Sequence, residues 1–188
     1  MEALINSTVM VTLAEIGDKT QLLSLVLATK FRNKIGIVLG ILAATLLNHA
    51  VSAWMGTWLS QYMESNLSHW ILAGSFIVLG LWLLIPDKDE DVSSKYDRYG
   101  AFAVSCVLFF IAEIGDKTQI ATILLGAQYS SVFWVTMGTT LGMLLANVPV
   151  VYLGQHLMKI IPLNTVRILG AVAFIIAGVF HLMKYNLV

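Results

Sequence analysis

Charge is what this sequence has least of. Only 12% of its 188 residues are Asp, Glu, Lys or Arg, while 58% are hydrophobic; a typical soluble domain carries ~25% charged residues. Such a chain cannot cover itself with a water-soluble surface, and its length leaves no room for a sizeable soluble domain beside its apolar segments. Cysteine is almost missing too. Cys106 stands alone inside an apolar run, which excludes an intramolecular disulfide and a thiolate metal cluster. The formal net charge is zero and no long basic tract is present, so nothing suggests nucleic acid as a partner. A basic amino-terminal region is lacking as well: Glu2 is followed by Asn6, Ser7 and Thr8, which interrupt the first apolar stretch. A cleaved signal peptide is therefore not expected, and the first helix should stay attached.

What the chain has in abundance is long apolar runs, at about residues 4 to 28, 35 to 59, 69 to 86, 100 to 125, 132 to 157 and 164 to 185. A spanning helix needs roughly 20 mostly apolar residues, and each run meets that length. The expected fold is an all-α membrane protein of six transmembrane helices in the lipid bilayer. Residues 1–86 form a first repeat, 87–99 an acidic linker with Asp87, Asp89, Glu90, Asp91 and Asp97, and 100–188 a second repeat.

The repeat is read by sliding the chain against itself by 98 positions. Ala14 to Gln21 (AEIGDKTQ) then falls on Ala112 to Gln119, the identical octapeptide. The same offset superposes Gly40 on Gly138, Phe76 on Phe174 and Gly80 on Gly178, so the duplication covers nearly the whole chain. Three spans per repeat is an odd number. The second copy must enter the bilayer from the opposite side, which makes an inverted repeat. Basic residues sort accordingly: Lys30, Arg32, Lys34, Lys88, Lys95, Arg98, Lys159 and Arg167 fall in alternate loops, with Lys184 alone on the other side. Basic loops face the cytoplasm, so both termini of this multi-pass chain are expected to face outward. Small residues four apart, Gly36, Gly40 and Ala44 in one repeat and Gly138 and Gly142 in the other, fit ordinary close helix packing.

Each octapeptide puts charge where membranes tolerate it least. Glu15, Asp18 and Lys19, and likewise Glu113, Asp116 and Lys117, lie about halfway along their apolar runs. A carboxylate or ammonium at the bilayer centre costs at least ~2.5 to 3.5 kcal/mol, so such groups face a partner or a cavity. On a continuous helix Glu15 and Asp18 lie about 60° apart and share a face that Gln21 continues, while Thr20 points elsewhere unless Gly17 breaks the helix. Lys19 follows Glu15 by four residues, the favourable order for an intrahelical pair, and Lys117 stands likewise to Glu113. Two opposed repeats would gather four carboxylates, with the amide oxygens of Gln21 and Gln119, about one point. Hard divalent cations take such oxygen donors, calcium and manganese among them, whereas zinc and copper would recruit His or Cys. With both lysine pairs formed the site keeps two net negative charges, matching a divalent cation or two protons. A structural ion-pair lock does not need the whole octapeptide kept in both halves.

The pattern Glu-Ile-Gly-Asp-Lys-Thr, once in each half, resembles the Gdt family of manganese and calcium transporters, also known as the second calcium:cation antiporter family. The resemblance spans essentially the whole chain and is strongest to compact bacterial members that export manganese. It implies a secondary antiporter of the bacterial cytoplasmic (inner) membrane, moving manganese(II) or calcium(II) against protons, with no cofactor and with Glu15, Asp18, Glu113 and Asp116 forming the cation site. Thr20 and Thr118 complete the motif.

Several other polar residues lie at membrane depth. Asn48 and His49, and Asn147 just before Pro149, either complete the metal shell, handle protons or hydrogen-bond between helices. His69, His156 and His181 lie nearer the ends of their runs and are expected at the interface, as are Trp54, Trp58, Trp70, Trp82, Trp134 and Tyr62. Asp87, Asp89 and Asp91 are spaced like the start of a calcium loop, but Val92 and Arg98 replace its Gly and Glu, so it is not an EF-hand. A calcium/proton exchanger is the nearest alternative function. Export of an anion or amino acid through Lys19 and Lys117 is opposed by the four carboxylates. An intramembrane enzyme lacks a nucleophile or a His-based catalytic metal site.

Overall fold

The computed structural model describes residues 1–62, 66–85, 99–154 and 162–186. The linker expected at 87–99 lies, but for Tyr99, outside these residues, as do His156 and Lys159. The described chain is all helical: α1 Glu2–Glu15, α2 Lys19–Lys30, α3 Lys34–Ser60, α4 Asn66–Leu83, α5 Ala101–Glu113, α6 Lys117–Tyr129, α7 Val132–Leu153 and α8 Leu163–Asn186. Of these, α3, α7 and α8 are each long and apolar enough to cross a membrane singly, and α4 and α5 contain shorter apolar helices.

The first and fourth apolar runs depart from the continuous helices their hydropathy suggests. Each is two helices, α1 with α2 and α5 with α6, separated at Ile16–Asp18 and Ile114–Asp116. Gly17 and Gly115 have φ of 87° and 75°. A residue in that region cannot extend a right-handed helix, and glycine enters it without steric cost. The chain then straightens, and the extended backbone of Asp18 and Asp116 starts the next helix.

The halves repeat this plan. Under the 98-residue offset α1 to α4 correspond to α5 to α8, and the packing follows: α1 lies on α7 as α5 lies on α3, and α2 on α7 as α6 on α3. Small residues permit these crossings. A Cβ added to Gly40 would stand 2.6 Å from the carbonyl oxygen of Phe102, and one on Gly138 would stand 2.6 Å from that of Leu4. The fourth and eighth helices cross each other in the same manner, with Phe76 against Phe174, ring centroids 6.2 Å apart.

One set of contacts breaks the equivalence. α8 packs on α1 and α4 packs on α6, but no comparable packing joins α4 to α5 or α8 to α2 among the described residues. Gly170 of α8 thus sits against the backbone of Leu13, whereas Ile111, the counterpart of Leu13, is 57% exposed.

Alongside an apolar core that includes Phe76, Phe109 and Phe174, burial departs from that of a soluble protein. The interior encloses Glu15, Gln21, Asn48, His49, Glu113 and Asn147, while Ile35, Leu47, Trp54, Val78, Phe133 and Ile176 lie on the outside. An apolar exterior of this extent is matched by lipid.

Candidate cation site

The helix breaks decide which groups meet. Glu15 and Glu113 are the last residues of α1 and α5, and Asp18 and Asp116 stand immediately before α2 and α6. A helix carboxyl end carries partial negative charge, so the two glutamates add their charge to an already negative end, and a cation is the natural complement. The aspartates sit at the partly positive amino ends, where a carboxylate is favoured. Interrupted helices presenting their ends at one level are a recurrent way to build ion sites inside membranes.

Ligand atoms of Glu15, Glu113 and Asp116 all lie within 4.8 Å of one another, and all three residues are buried. Glu15 is held from both halves: Thr20 Oγ1 donates to its Oε2 at 2.5 Å, and Thr118 Oγ1 donates to its Oε1. Thr20 therefore does face the acids, because the break at Gly17 turns it toward them. Glu113 is different. Neither of its carboxylate oxygens has a hydrogen-bond partner among the described residues, although the residue is wholly buried. An unsatisfied buried carboxylate is costly unless a cation or proton joins it.

Asp18 stands outside this three-carboxylate group. It lines a crevice with Gly17, Leu83, Ile85, Lys117 and Arg167. The intrahelical pairing expected of Lys19 with Glu15 gives way to a pair across the repeats, Lys19 Nζ to Asp116 Oδ1 at 3.3 Å. Lys117 does not mirror it; its Nζ donates to the carbonyl of Ile85 at 2.7 Å and lies 5.9 Å from the ring centroid of Trp82. Both differences have one cause: with the helix broken, residues four apart no longer lie one above the other.

Gln21 and Gln119 serve the breaks. The Gly17 N–H donates to Gln21 Oε1 at 2.9 Å, and the Gly115 N–H donates to Gln119 Oε1 at 2.7 Å. Gln21 also donates from Nε2 to the carbonyl of Ala146 at 2.9 Å, tying the first break to α7. The remaining polar candidates make cross-helix hydrogen bonds. Asn48 Nδ2 donates to Phe110 O at 3.2 Å, Ser24 Oγ donates to Asn147 Oδ1 at 2.8 Å, and His49 Nδ1 lies 3.3 Å from Thr140 Oγ1. The cross-repeat reach of Lys19 and the part played by the Ile85 carbonyl have no signal in the sequence.

The cluster thus offers oxygen donors only, a chemistry suited to a hard divalent cation. Comparison with known proteins agrees. The family model described as "Divalent cation/proton antiporter GDT1" matches residues 3–91 and 101–187. A Vibrio cholerae protein named "Putative manganese exporter" is 49% identical over 187 residues, covering 97% of this chain and 88% of that one. "GDT1-like protein sll0615" of Synechocystis is 27% identical over 90% of this chain and 91% of its own, and "GDT1-like protein 5" of Arabidopsis thaliana 25% identical over 97% and 96%. No solved structure matches significantly. The family is one of transporters rather than enzymes, for which the divalent cation is substrate and not cofactor. Two family-model matches that together span nearly the whole chain, around two buried acidic helix breaks, place this protein in the GDT1 family of divalent cation/proton antiporters.

Proposed function

We propose that this protein exports manganese(II) from the bacterial cytoplasm across the inner membrane in exchange for protons, with calcium(II) as the alternative cargo. The observation that carries this reading is the buried trio Glu15, Glu113 and Asp116, drawn from both halves, with Glu113 lacking a hydrogen-bond partner among the described residues. In this reading Glu15, Glu113 and Asp116 hold the cation, and Asp18 completes the set when the halves move. Gln21 and Gln119 shape the breaks, and Thr20 and Thr118 orient Glu15. A six-span inverted repeat with both termini outward is part of this reading, supported by the 98-residue duplication and the distribution of Lys and Arg. The name of the Vibrio cholerae relative favours manganese over calcium.

Protons are a sufficient counter-ion. Moving one charge across 100 mV is worth ~2.3 kcal/mol, so expelling a divalent ion from an inside-negative cell costs about 4.6 kcal/mol before any gradient. Exchange for two protons cancels that electrical cost, and carboxylates crowded in a buried site are groups that can take up protons when the cation leaves.

The test is uptake into inside-out vesicles containing the purified protein, acid inside, comparing manganese with calcium. Manganese accumulation that follows the pH gradient and is lost in both Asp116→Asn and Asp18→Asn supports the reading. Faster calcium uptake would change the cargo, and flux indifferent to the gradient would overturn the antiport.

A further inference from the structure

At the end of the α4–α8 crossing remote from the crevice, two histidines face each other from different helices. His69 Nδ1 lies 3.3 Å from His181 Nε2, with ring centroids 5.4 Å apart and the planes inclined at 43°. His181 is only 6% exposed and His69 is half-buried, whereas the adjacent Trp70 is 53% exposed. An exposed tryptophan beside a run's end marks the level at which bilayer meets water. Water can therefore reach His69 while His181 is held by packing.

The pair has no counterpart at the other end of the crossing. The 98-residue offset puts Arg167 opposite His69 and Leu83 opposite His181, and those two residues line the crevice. Two imidazoles at one end only, in a chain with four histidines, are not a by-product of the duplication.

A ring-to-ring hydrogen bond accounts for the 3.3 Å spacing. So does shared ligation: two metal–nitrogen bonds of ~2.05 Å at a tetrahedral angle set the nitrogens ~3.3 Å apart. We propose that His69 and His181 form a second metal site, binding a late first-row divalent ion such as zinc, nickel or cobalt and bridging α4 to α8.

Nitrogen ligands give this site a selectivity opposite to that of the carboxylates. Imidazole suits zinc, cobalt and nickel, binds manganese more weakly in the usual divalent order, and holds no attraction for calcium. Lys184 follows His181 by three residues and so lies on a neighbouring helix face. Its ammonium opposes a dication, which limits the affinity, but its four-carbon stem lets the charge turn away into water. An ion held here would tie together two helices that otherwise meet through apolar packing such as Phe76 on Phe174.

The experiment is a cobalt(II) titration of the full chain in lipid nanodiscs, purified without a polyhistidine tag. Asp116→Asn serves as the background to weaken the oxygen-donor site, and the visible d–d absorption is read. One equivalent of cobalt with a nitrogen-type spectrum is expected, weakened about tenfold or more by His69→Ala and by His69→Gln. His69→Gln keeps a hydrogen-bonding group toward His181 and so separates ligation from a structural hydrogen bond. An unchanged cobalt affinity in a monodisperse His69→Ala or His69→Gln protein overturns the proposal. Binding does not depend on transport, so this site and the proposed export stand or fall separately.

Discussion

Lys19 of the first half reaches Asp116 of the second at 3.3 Å, while its twin Lys117 donates to the backbone of Ile85 at 2.7 Å. Two octapeptides identical in sequence therefore occupy unlike surroundings. Asp116 is 4% exposed, so removing the cation that faces it leaves a largely buried charge, a change that costs ~3–5 kcal/mol in comparable buried pairs. Lys19→Met is expected to lower the thermal midpoint in detergent. Adding Asp116→Asn to Lys19→Met should recover most of the loss, and a double variant no more stable than the single one would contradict the pairing.

Glu15 accepts one hydroxyl from each half, from Thr20 and from Thr118. Hydrogen bonds to a charged group are worth ~1.5–3 kcal/mol, which corresponds to about tenfold or more in binding. Thr118→Val should raise the manganese concentration needed for half-maximal vesicle uptake by about that factor, while Thr118→Ser, which keeps the hydroxyl, should stay near the parent.

The two glycine turns give a graded pair of substitutions. Gly115 has open space where a Cβ would go, so Gly115→Ala meets only the cost of a left-handed backbone, ~1–2 kcal/mol. A Cβ on Gly17 would also approach Leu163 to 3.2 Å, so Gly17→Ala should be the more damaging. Chemical or thermal unfolding of the two variants side by side gives the order directly.

Close helix approach makes a different demand at Gly138. A Cβ there would stand 2.6 Å from the Leu4 carbonyl oxygen, a backbone atom that cannot swing aside. Gly138→Ala should push α7 from α1 at a cost of ~1–3 kcal/mol, and Gly138→Val should cost more. Yield of monodisperse protein and thermal midpoint are the readouts.

Much of this was legible beforehand. The acidic octapeptides and the apolar runs are local patterns, and helices follow the unbroken runs within a few residues, as α3 Lys34–Ser60 does the run at 35 to 59, while the first and fourth runs are each split in two. Of the four acids picked out in the sequence, Glu15, Glu113 and Asp116 come together and Asp18 does not, and their arrangement was the less legible part. Helical periodicity assumes an unbroken helix; once Gly17 takes a φ of 87°, the angular positions of Asp18, Lys19 and Thr20 relative to Glu15 are reset. That is why the expected Glu15–Lys19 pair is absent and Thr20 meets Glu15 instead. Partners such as Ile85 for Lys117 depend on where a distant backbone carbonyl falls, and no side-chain pattern encodes that.

The unequal seating of α4 and α8 has a last implication. Among the described residues each rests on one member of a related pair of helices, α4 on α6 and α8 on α1, with no comparable packing on the other member. Were the halves to trade arrangements, Leu72 would come to lie on Ile111 as Gly170 now lies on Leu13, and the exposed flank would pass from one half of the duplication to the other. The duplication that wrote the octapeptide twice would then also supply two equivalent seatings for α4 and α8, of which the structure holds one.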